Sequence, residues 1–175
     1  MIVNDFDEDL QYGAQIADEP FWQEFYKKAF PGLLFAQMTN KNCQGQQLGI
    51  DRVIYLDSGK VLFIDEKKRR ESYPDILLEY QSNGDFKKGW MHKQLLIDYI
   101  AYAVMPDKKV FLFDWHSLRS AWFKYRDEWM ELAKVRKDGF RVVEAINKYY
   151  STFSLAIPTK ILLEAINEPV FIDIE

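Results

Sequence analysis

The sequence predicts a mixed α/β (α+β) fold, with a central mixed β-sheet flanked by helices. Two observations support this class. Short runs rich in Val, Ile, Tyr and Phe end at turn residues, as strands do, and longer segments carry apolar residues at helical spacing. The predicted order is helix, three-strand meander, helix, strand and long helix, which is typical of layered domains. At 175 residues without a Gly/Ser/Pro-rich linker, residues 1–175 are expected to form a single domain.

A capped helix is the first predicted element. Asp18 is placed as its N-cap and Pro20 at an early position, and the helix ends near Pro31-Gly32. Phe21, Phe25 and Ala29 share one face of this helix. The polar segment that follows, FAQMTNKNCQGQQ, has weak periodicity and is predicted to be a loop.

A β-hairpin is predicted next. Residues 49–57 and 60–68 are apolar strands on either side of the turn Asp57-Ser58-Gly59-Lys60, and Ile76 to Tyr80 is the third strand of the meander. Residues 90–104 carry apolar side chains at helical spacing and are predicted to be a helix. The segment KVFLF, residues 109–113, is a fourth strand, and residues 115–135 form a long amphipathic helix. In the rest of the chain, RVVEAINKYY is predicted to be a helix or a strand, STFSLAI a strand, and PTKILLEAIN a helix that begins at its proline.

Composition excludes several classes of site. The single cysteine, Cys43, cannot form an intramolecular disulfide or a multi-cysteine zinc site, and His92 and His116 lack companions at ligand spacing. The net charge of −4 means that any attraction to nucleic acid comes from a local patch. The acidic N-terminal residues do not form a signal peptide, and no run reaches the roughly 18 apolar residues of a membrane span. We expect a cytoplasmic protein with no membrane partner.

The predicted hairpin carries an unusual density of charge where its second strand ends, in Asp65-Glu66-Lys67-Lys68. Side chains alternate between faces of a strand, so Asp65 and Lys67 share one face and Glu66 and Lys68 the other. A three-residue loop with Gly59 in a left-handed conformation pairs Leu56 with Lys60. Asp51 then lies opposite Asp65, with β-carbons roughly 4.5 to 5.5 Å apart.

A four-residue loop is the alternative. It would pair Leu56 with Val61 and set Asp51 opposite Glu66, which favours Glu66 and Lys68 as the pair of interest. In the first register two facing carboxylates repel unless a cation lies between them, and Mg²⁺ takes one or two carboxylates together with waters and a substrate phosphate. Lys67 would help to orient or deprotonate a water activated by the ion. This arrangement suits phosphodiester hydrolysis.

These residues resemble a known family. Gly49-Ile50-Asp51, a strand and turn, and then Ile64-Asp65-Glu66-Lys67 are similar to the motif of the PD-(D/E)xK nuclease superfamily, notably archaeal Holliday-junction resolvase-like nucleases. The resemblance implies a restriction-endonuclease-like core at about residues 18–113, with a helical and strand extension over residues 114–175. It also implies a Mg²⁺- or Mn²⁺-dependent endo- or exonuclease, and homodimerisation by analogy.

The family's site residues transfer to matching positions. The resemblance implies Asp51 and Asp65 as metal ligands and catalytic acids, the main-chain carbonyl of Glu66 as a further ligand, and Lys67 as the catalytic lysine. A helical glutamate near the metal would be Glu24 or Glu19, and Gln94 is the nearest match to a glutamine found in some members. Aspartate occupies the position at which the acid-x-lysine motif more often has glutamate. Pro74-Asp75 matches the Pro-Asp pair of the family name, but it comes after the lysine motif and is not part of the site.

Basic residues near the motif are candidates for binding nucleic acid through its phosphates. They are Lys68, Arg69, Arg70 and Lys93, together with Gln94; an ordinary solvated charged surface is the alternative. The tryptophans at 90, 115, 122 and 129 are expected to build core rather than to stack on bases. The leading prediction is therefore a metal-dependent nuclease acting on DNA, with RNA as the other substrate class. Its alternative is a non-catalytic nucleic-acid-binding or protein-interaction module on a nuclease-like scaffold.

Overall fold

The computed structural model describes residues 3–4, 20–39, 48–82, 87–147, 151–166 and 170–173. The α-helices in this part of the chain are α1 (Pro20–Ala29), α2 (Trp115–Lys134) and α3 (Thr159–Ile166). The strands are β1 (Val3–Asn4), β2 (Leu33–Met38), β3 (Arg52–Leu56), β4 (Val61–Arg69), β5 (Asp75–Ser82), β6 (Lys87–Lys88), β7 (Tyr99–Val104), β8 (Lys109–Asp114), β9 (Arg141–Asn147), β10 (Ser151–Pro158) and β11 (Val170–Asp173). The predicted mixed α+β class is confirmed. None of the described helices is long and apolar enough to cross a membrane.

The chain forms two compact units, each containing one sheet. The six-stranded unit comprises residues 13–72, 94–116 and 168–175, and its strand order is β11-β8-β7-β4-β3-β2. Its sheet is mixed, because β4 and β7 run parallel while the other neighbouring strands are antiparallel. A parallel pair buries both faces of its strands, and Ile100, Ala101 and Ala103 of β7 are fully buried.

Helix α1 belongs to the six-stranded unit and carries a column of aromatic rings. Trp22, Tyr26 and Phe30 stack at centroid separations of 5.8 and 6.1 Å, and Phe30 meets the edge of Tyr99 at 5.9 Å. The predicted helix is confirmed, and Pro20 is its first residue. Its fully buried side chains are Trp22, Phe25 and Tyr26, and Phe21 and Ala29 are partly exposed.

The five-stranded unit comprises residues 1–12, 73–93 and 117–167, with strand order β1-β9-β10-β5-β6. Strand β10 pairs antiparallel with both β5 and β9. A partly buried ion pair links β9 to β5: the guanidinium of Arg141 donates to the carboxylate of Asp75 at 2.6 Å. The predicted strand over STFSLAI and the helix after Pro158 are confirmed, and RVVEAIN is a strand.

The predicted helix over residues 90–104 is wrong. Trp90–His92 form a single 3₁₀ turn, and Tyr99–Val104 form strand β7 in the centre of a sheet. A strand that is buried on both faces is apolar at consecutive positions. Its apolar residues therefore also include pairs three and four positions apart, which is the spacing of a helix. The β-branched and aromatic residues of YIAYAV favour the strand that is found.

Two further predictions of strand placement are corrected. The segment predicted as a loop begins within β2, whose residues Leu34 and Phe35 are 63% and 52% exposed at the end of the sheet. Burial does not alternate from residue to residue along this strand. The strand predicted over Ile76 to Tyr80 exists as β5, but it pairs with β10 and β6, so the meander consists of β2, β3 and β4. The rest of the predicted loop and the Asp18 cap lie outside the described residues.

The predicted tryptophan core is confirmed. Trp90, Trp115, Trp122 and Trp129 are all buried, with exposed fractions of 8% or less. Because they are buried, these rings do not offer an exposed surface to a partner. The division into a nuclease-like core at about 18–113 and an extension stays a prediction.

Candidate functional site

The hairpin of β3 and β4 has the register predicted from its turn. Arg52 pairs with Ile64, Val53 with Phe63, Ile54 with Leu62 and Tyr55 with Val61. The Leu56 N–H donates to the Lys60 carbonyl at 3.0 Å, and Gly59 has a φ of +81°. A residue with a side chain is strained in this left-handed conformation, which explains glycine at the last loop position. The three-residue loop is confirmed, and the four-residue alternative is wrong.

Asp51 lies in a bend immediately before β3. Its N–H donates to the carbonyl of Ile64, its carbonyl accepts from Thr39, and its carboxylate accepts the N–H of Glu66 at 2.9 Å. The side chain thus takes over the hydrogen bonding of β4 at the point where the main-chain ladder of β3 ends. This places the Asp51 carboxylate beside the main chain between Asp65 and Glu66.

A second aspartate, Asp98, bonds to β4 from just before β7, as Asp51 does from just before β3. Asp98 precedes β7, and its carboxylate accepts the Phe63 N–H at 2.7 Å. The main chain of Asp98 also bonds to β4, donating its N–H to the Phe63 carbonyl at 2.8 Å. The motif in β4 therefore begins where the hairpin partner β3 gives way to the parallel partner β7, and its position is fixed from both sides.

Asp65 and Lys67 lie on one face of β4, here called the Asp65 face. The ammonium of Lys67 donates to the Asp65 carboxylate at 2.6 Å, and the side chains are 30% and 4% exposed, respectively. Burial raises the pKa of the Asp65 carboxyl to about 7; Lys67 opposes this, while Asp51 raises it further through its charge and a side-chain hydrogen bond. One lysine does not compensate two neighbouring carboxyl groups in this buried setting.

Glu66 lies on the opposite face of β4, here called the Glu66 face, and has a different environment. Its carboxylate accepts hydrogen bonds from Arg52 at 2.5 Å and from the hydroxyl of Tyr26 at 2.8 Å. Burial raises the pKa of Tyr26, and the adjacent Glu66 charge raises it further. Burial lowers the pKa of Arg52, but the Glu66 carboxylate outweighs that effect and the pKa is raised overall. The raised pKa values of Tyr26 and Arg52 mean that both groups keep the protons that they donate to Glu66.

The donors on the Asp65 face suit a hard divalent cation. Two carboxylates, Asp51 and Asp65, with the adjoining main chain of Glu66 offer oxygen ligands, and Mg²⁺ binds through one or two carboxylates while keeping several waters. Burial, with a smaller contribution from Asp51, raises the pKa of Asp65, and a bound cation would stabilise its charged form. Among the described residues no group of three or more His, Cys, Asp or Glu side chains could hold a metal. The fit therefore rests on two carboxylates.

Of the two candidates for a third acid, Glu24 is not brought to this site. Glu24 is exposed on α1, whose buried side contacts the Glu66 face through Tyr26 and Trp22. It thus belongs to a helix on the other side of the sheet from Asp65. Glu19, the other candidate, lies outside the described residues.

The predicted nucleic-acid-binding residues have diverse positions. The ammonium of Lys68 lies 5.9 Å from the Trp22 ring, on the Glu66 face. Arg69 ends β4 and is 8% exposed, and Arg70 follows it in an exposed position. Lys93 is exposed and belongs to the five-stranded unit, while Gln94 is exposed and belongs to the six-stranded unit.

Two features of the site were missed in the sequence. Arg52 was not singled out, although in the derived register it is diagonal to Glu66 on the same face, a position where opposite charges interact. Asp98 carried no signal beyond preceding an apolar run, because its role depends on β7 pairing with β4.

Comparison with known proteins found no matching family model, no matching curated protein and no matching solved structure.

Proposed function

We propose that the protein is a metal-dependent nuclease of the PD-(D/E)xK type, which hydrolyses phosphodiester bonds of DNA, or of RNA, at the Asp65 face of β4. The observation that carries this proposal is the arrangement of Asp51, Asp65 and Lys67 around one stretch of main chain. Two carboxylates share that stretch with a lysine whose side chain is 30% exposed. Phosphodiester hydrolysis needs groups of these kinds together.

Each residue has a separate task in this proposal. Asp51 and Asp65, with the Glu66 carbonyl, would hold Mg²⁺ or Mn²⁺, and the ion would supply Lewis-acid activation of water and stabilise negative charge on the phosphate. Asp51 is held in place by three hydrogen bonds to the main chain. The Lys67 ammonium orients the attacking water and stabilises the developing charge on the non-bridging oxygens.

The Glu66 face would support the site without taking part in the reaction. The bonds of Glu66 to Arg52 and Tyr26 hold the strand between α1 and its sheet neighbours. In hydrolysis the water oxygen forms a bond to phosphorus as the bond from phosphorus to the leaving sugar oxygen breaks. One proton passes from the water to solvent and the leaving oxygen gains one. The products are a phosphate monoester and a free hydroxyl.

Cleavage of labelled nucleic acids tests the proposal. Linear duplex, branched DNA, single-stranded DNA and RNA are incubated with purified protein in Mg²⁺, in Mn²⁺ and in EDTA. Wild type is expected to cleave in the metal buffers alone, and Asp51→Ala and Lys67→Ala to lose about 10²- to 10⁴-fold in rate.

Lys68→Ala is the matched control, because it removes the next lysine of the same strand, whose side chain lies on the other face over Trp22. It is expected to keep the hydrolytic rate on saturating substrate. Equal activity in wild type and Lys67→Ala, with both proteins folded, would overturn the assignment.

A second candidate function is a nucleic-acid-binding module that does not cleave. The observation that favours it is the tight Lys67–Asp65 ion pair, in a described region that lacks a group of three metal-binding side chains. Nucleic-acid binding in EDTA that leaves the substrate intact after Mg²⁺ addition would select this function.

A further inference from the structure

A cationic and aromatic cluster lies in the five-stranded unit, remote in sequence from the hairpin motif. We call it the Phe123 patch and define it by Lys88, His92, Arg119, Phe123 and Arg126. Its centre is the ring of Phe123, which is 45% exposed on α2. The ring therefore offers an accessible apolar surface among charged neighbours, to which a ligand can bind.

Two arginines on α2 flank this ring. The guanidinium carbon of Arg119 lies 5.4 Å from the Phe123 centroid, and that of Arg126 lies 5.2 Å from it. The spacings of four and three residues place all three side chains on one stripe of the helix. Both arginines are thus close enough to the ring to act as cation–π partners, and the ring keeps an exposed surface.

His92 packs against the same stripe from the 3₁₀ turn. Its ring meets Trp122 and Phe123 edge-on, at 5.7 and 5.8 Å. Burial lowers the pKa of His92, and Arg126, Lys88 and Arg119 lower it further by repulsion. Three cations therefore converge on one imidazole. Arg126 has an acidic neighbour in Asp127, whose side chain is 95% exposed and lies 3.4 Å from the Arg126 Nε, a solvated pair of little strength.

We propose that the Phe123 patch binds single-stranded nucleic acid, with a base stacked on Phe123 and the adjacent phosphates bound by Arg119, Arg126 and Lys88. Proteins that bind single strands combine aromatic stacking platforms with a cationic track. The patch joins both components within one unit of an otherwise acidic chain of net charge −4. Lys93, a residue predicted to bind nucleic acid, follows His92 and is exposed.

This inference deepens the proposed function, on which it rests for nucleic acid as the ligand. It specifies that the nucleic acid is single-stranded and names the residues that bind it. A duplex hides its base faces, so a stacking ring selects single strands or splayed ends. A protein partner with acidic side chains would use the arginines but gain nothing specific from a base-sized aromatic platform.

Fluorescence anisotropy in EDTA tests the patch without cleavage. The probe is a labelled oligothymidine of about 15 nucleotides, titrated with full-length wild type and variants over a range of salt. Phe123→Ala is expected to weaken binding about 5- to 150-fold, the range for loss of one stacked base. Phe123→Leu keeps the apolar volume and is expected to lose nearly as much. Arg126→Gln is expected to lower the salt slope by about 0.7.

Lys134→Gln is the matched control, because Lys134 is an exposed cation of the same helix paired with Glu131 at the surface, roughly 12 Å along the axis from Arg126. It is expected to bind as wild type does. Unchanged affinity in Phe123→Leu and Phe123→Ala, both checked for folding by circular dichroism, would overturn the proposal. So would equal affinity for duplex, or for heparin, which has charge without bases.

The two proposals fail separately. Metal-dependent cleavage that persists with unchanged substrate affinity in Phe123→Ala would overturn the patch and leave the nuclease site standing. Binding that depends on Phe123, in a protein that never cleaves, would overturn the nuclease assignment and support the Phe123 patch.

Discussion

The two faces of β4 carry neighbouring acids with opposite environments. Glu66 is neutralised by Arg52 and hydrogen-bonded by Tyr26, so its charge is fully accommodated within the fold. Asp65, one residue earlier, is equally buried and is paired with Lys67, but burial and the nearby Asp51 raise its pKa to about 7. Under the proposed function, Glu66 supports the fold and Asp65 would hold the metal ion.

The largest expected effect distinguishes the two faces by activity. Asp65→Asn is expected to lower the cleavage rate about 10³-fold, equivalent to about 4 kcal/mol of transition-state stabilisation. Glu66→Gln is expected to keep the rate per folded molecule within a few-fold, because its side chain lies on the other face. Single-turnover cleavage, normalised to the folded fraction from circular dichroism, measures both. Equal losses in the two variants would remove the functional distinction.

Stability should show the reverse order. Glu66→Gln leaves the Arg52 guanidinium, 2% exposed, without its counter-charge, and is expected to lower the free energy of unfolding by about 3 to 5 kcal/mol. Replacing both partners, as Glu66→Leu with Arg52→Leu, is expected to recover most of that loss. Urea denaturation of the single and double variants measures the coupling. A loss under about 1 kcal/mol in Glu66→Gln would contradict the structural role of the network.

The pH dependence of the metal-free protein sharpens the comparison. The pKa of Asp65 is about 7 when folded, against 3.8 ordinarily, so between these values the folded state binds more protons than the unfolded state. Stability then falls with rising pH by up to about 1.4 kcal/mol per unit, and the loss is constant above pH 7. Below pH 3.8 the contribution vanishes.

Asp65→Asn should lack this slope and be more stable than wild type at pH 8 in EDTA. Urea denaturation of both proteins at several pH values between 4 and 8 tests this. If the free energy of unfolding changes with pH in the same way in wild type and Asp65→Asn, the charge of Asp65 does not destabilise the folded protein.

The smallest expected effect concerns the turn that sets the faces. Gly59→Ala is expected to cost about 1 to 2 kcal/mol, because φ is +81° and a side chain is strained there. No atom lies within 4 Å of the added Cβ, so a clash does not contribute. Ser58→Ala in the same exposed loop is the control and should change the unfolding free energy by less than about 0.5 kcal/mol. Equal effects in both would mean that the glycine conformation does not hold the register.

The hairpin was predictable because local rules determine it. A glycine at the end of a three-residue loop fixes the pairing, and the twofold alternation of a strand then assigns Asp65 and Lys67 to the side of Asp51. No long-range contact is needed for this reasoning. The same alternation makes Arg52 and Glu66 neighbours on the other face.

Features that depend on distant pairing were not predictable in the same way. Tyr99–Val104 fits helical spacing and becomes a strand because it lies between β4 and β8. Strand β5 was recognised, but its membership of the other sheet depends on β10, more than 70 residues later in the chain. The role of Asp98 at β4 likewise requires the parallel pairing of β7.

Binding of Mn²⁺ tests the central claim most directly, because it asks whether the Asp65 face holds a divalent cation. Calorimetric titration at pH 8 is carried out on wild type, Asp51→Asn, Asp65→Asn and Glu66→Gln. We expect one site in wild type, an affinity at least about tenfold weaker in the two aspartate variants, and wild-type affinity in Glu66→Gln. Absence of binding in wild type, or equal binding in Asp65→Asn, would contradict the assignment of this face as a metal-dependent active site.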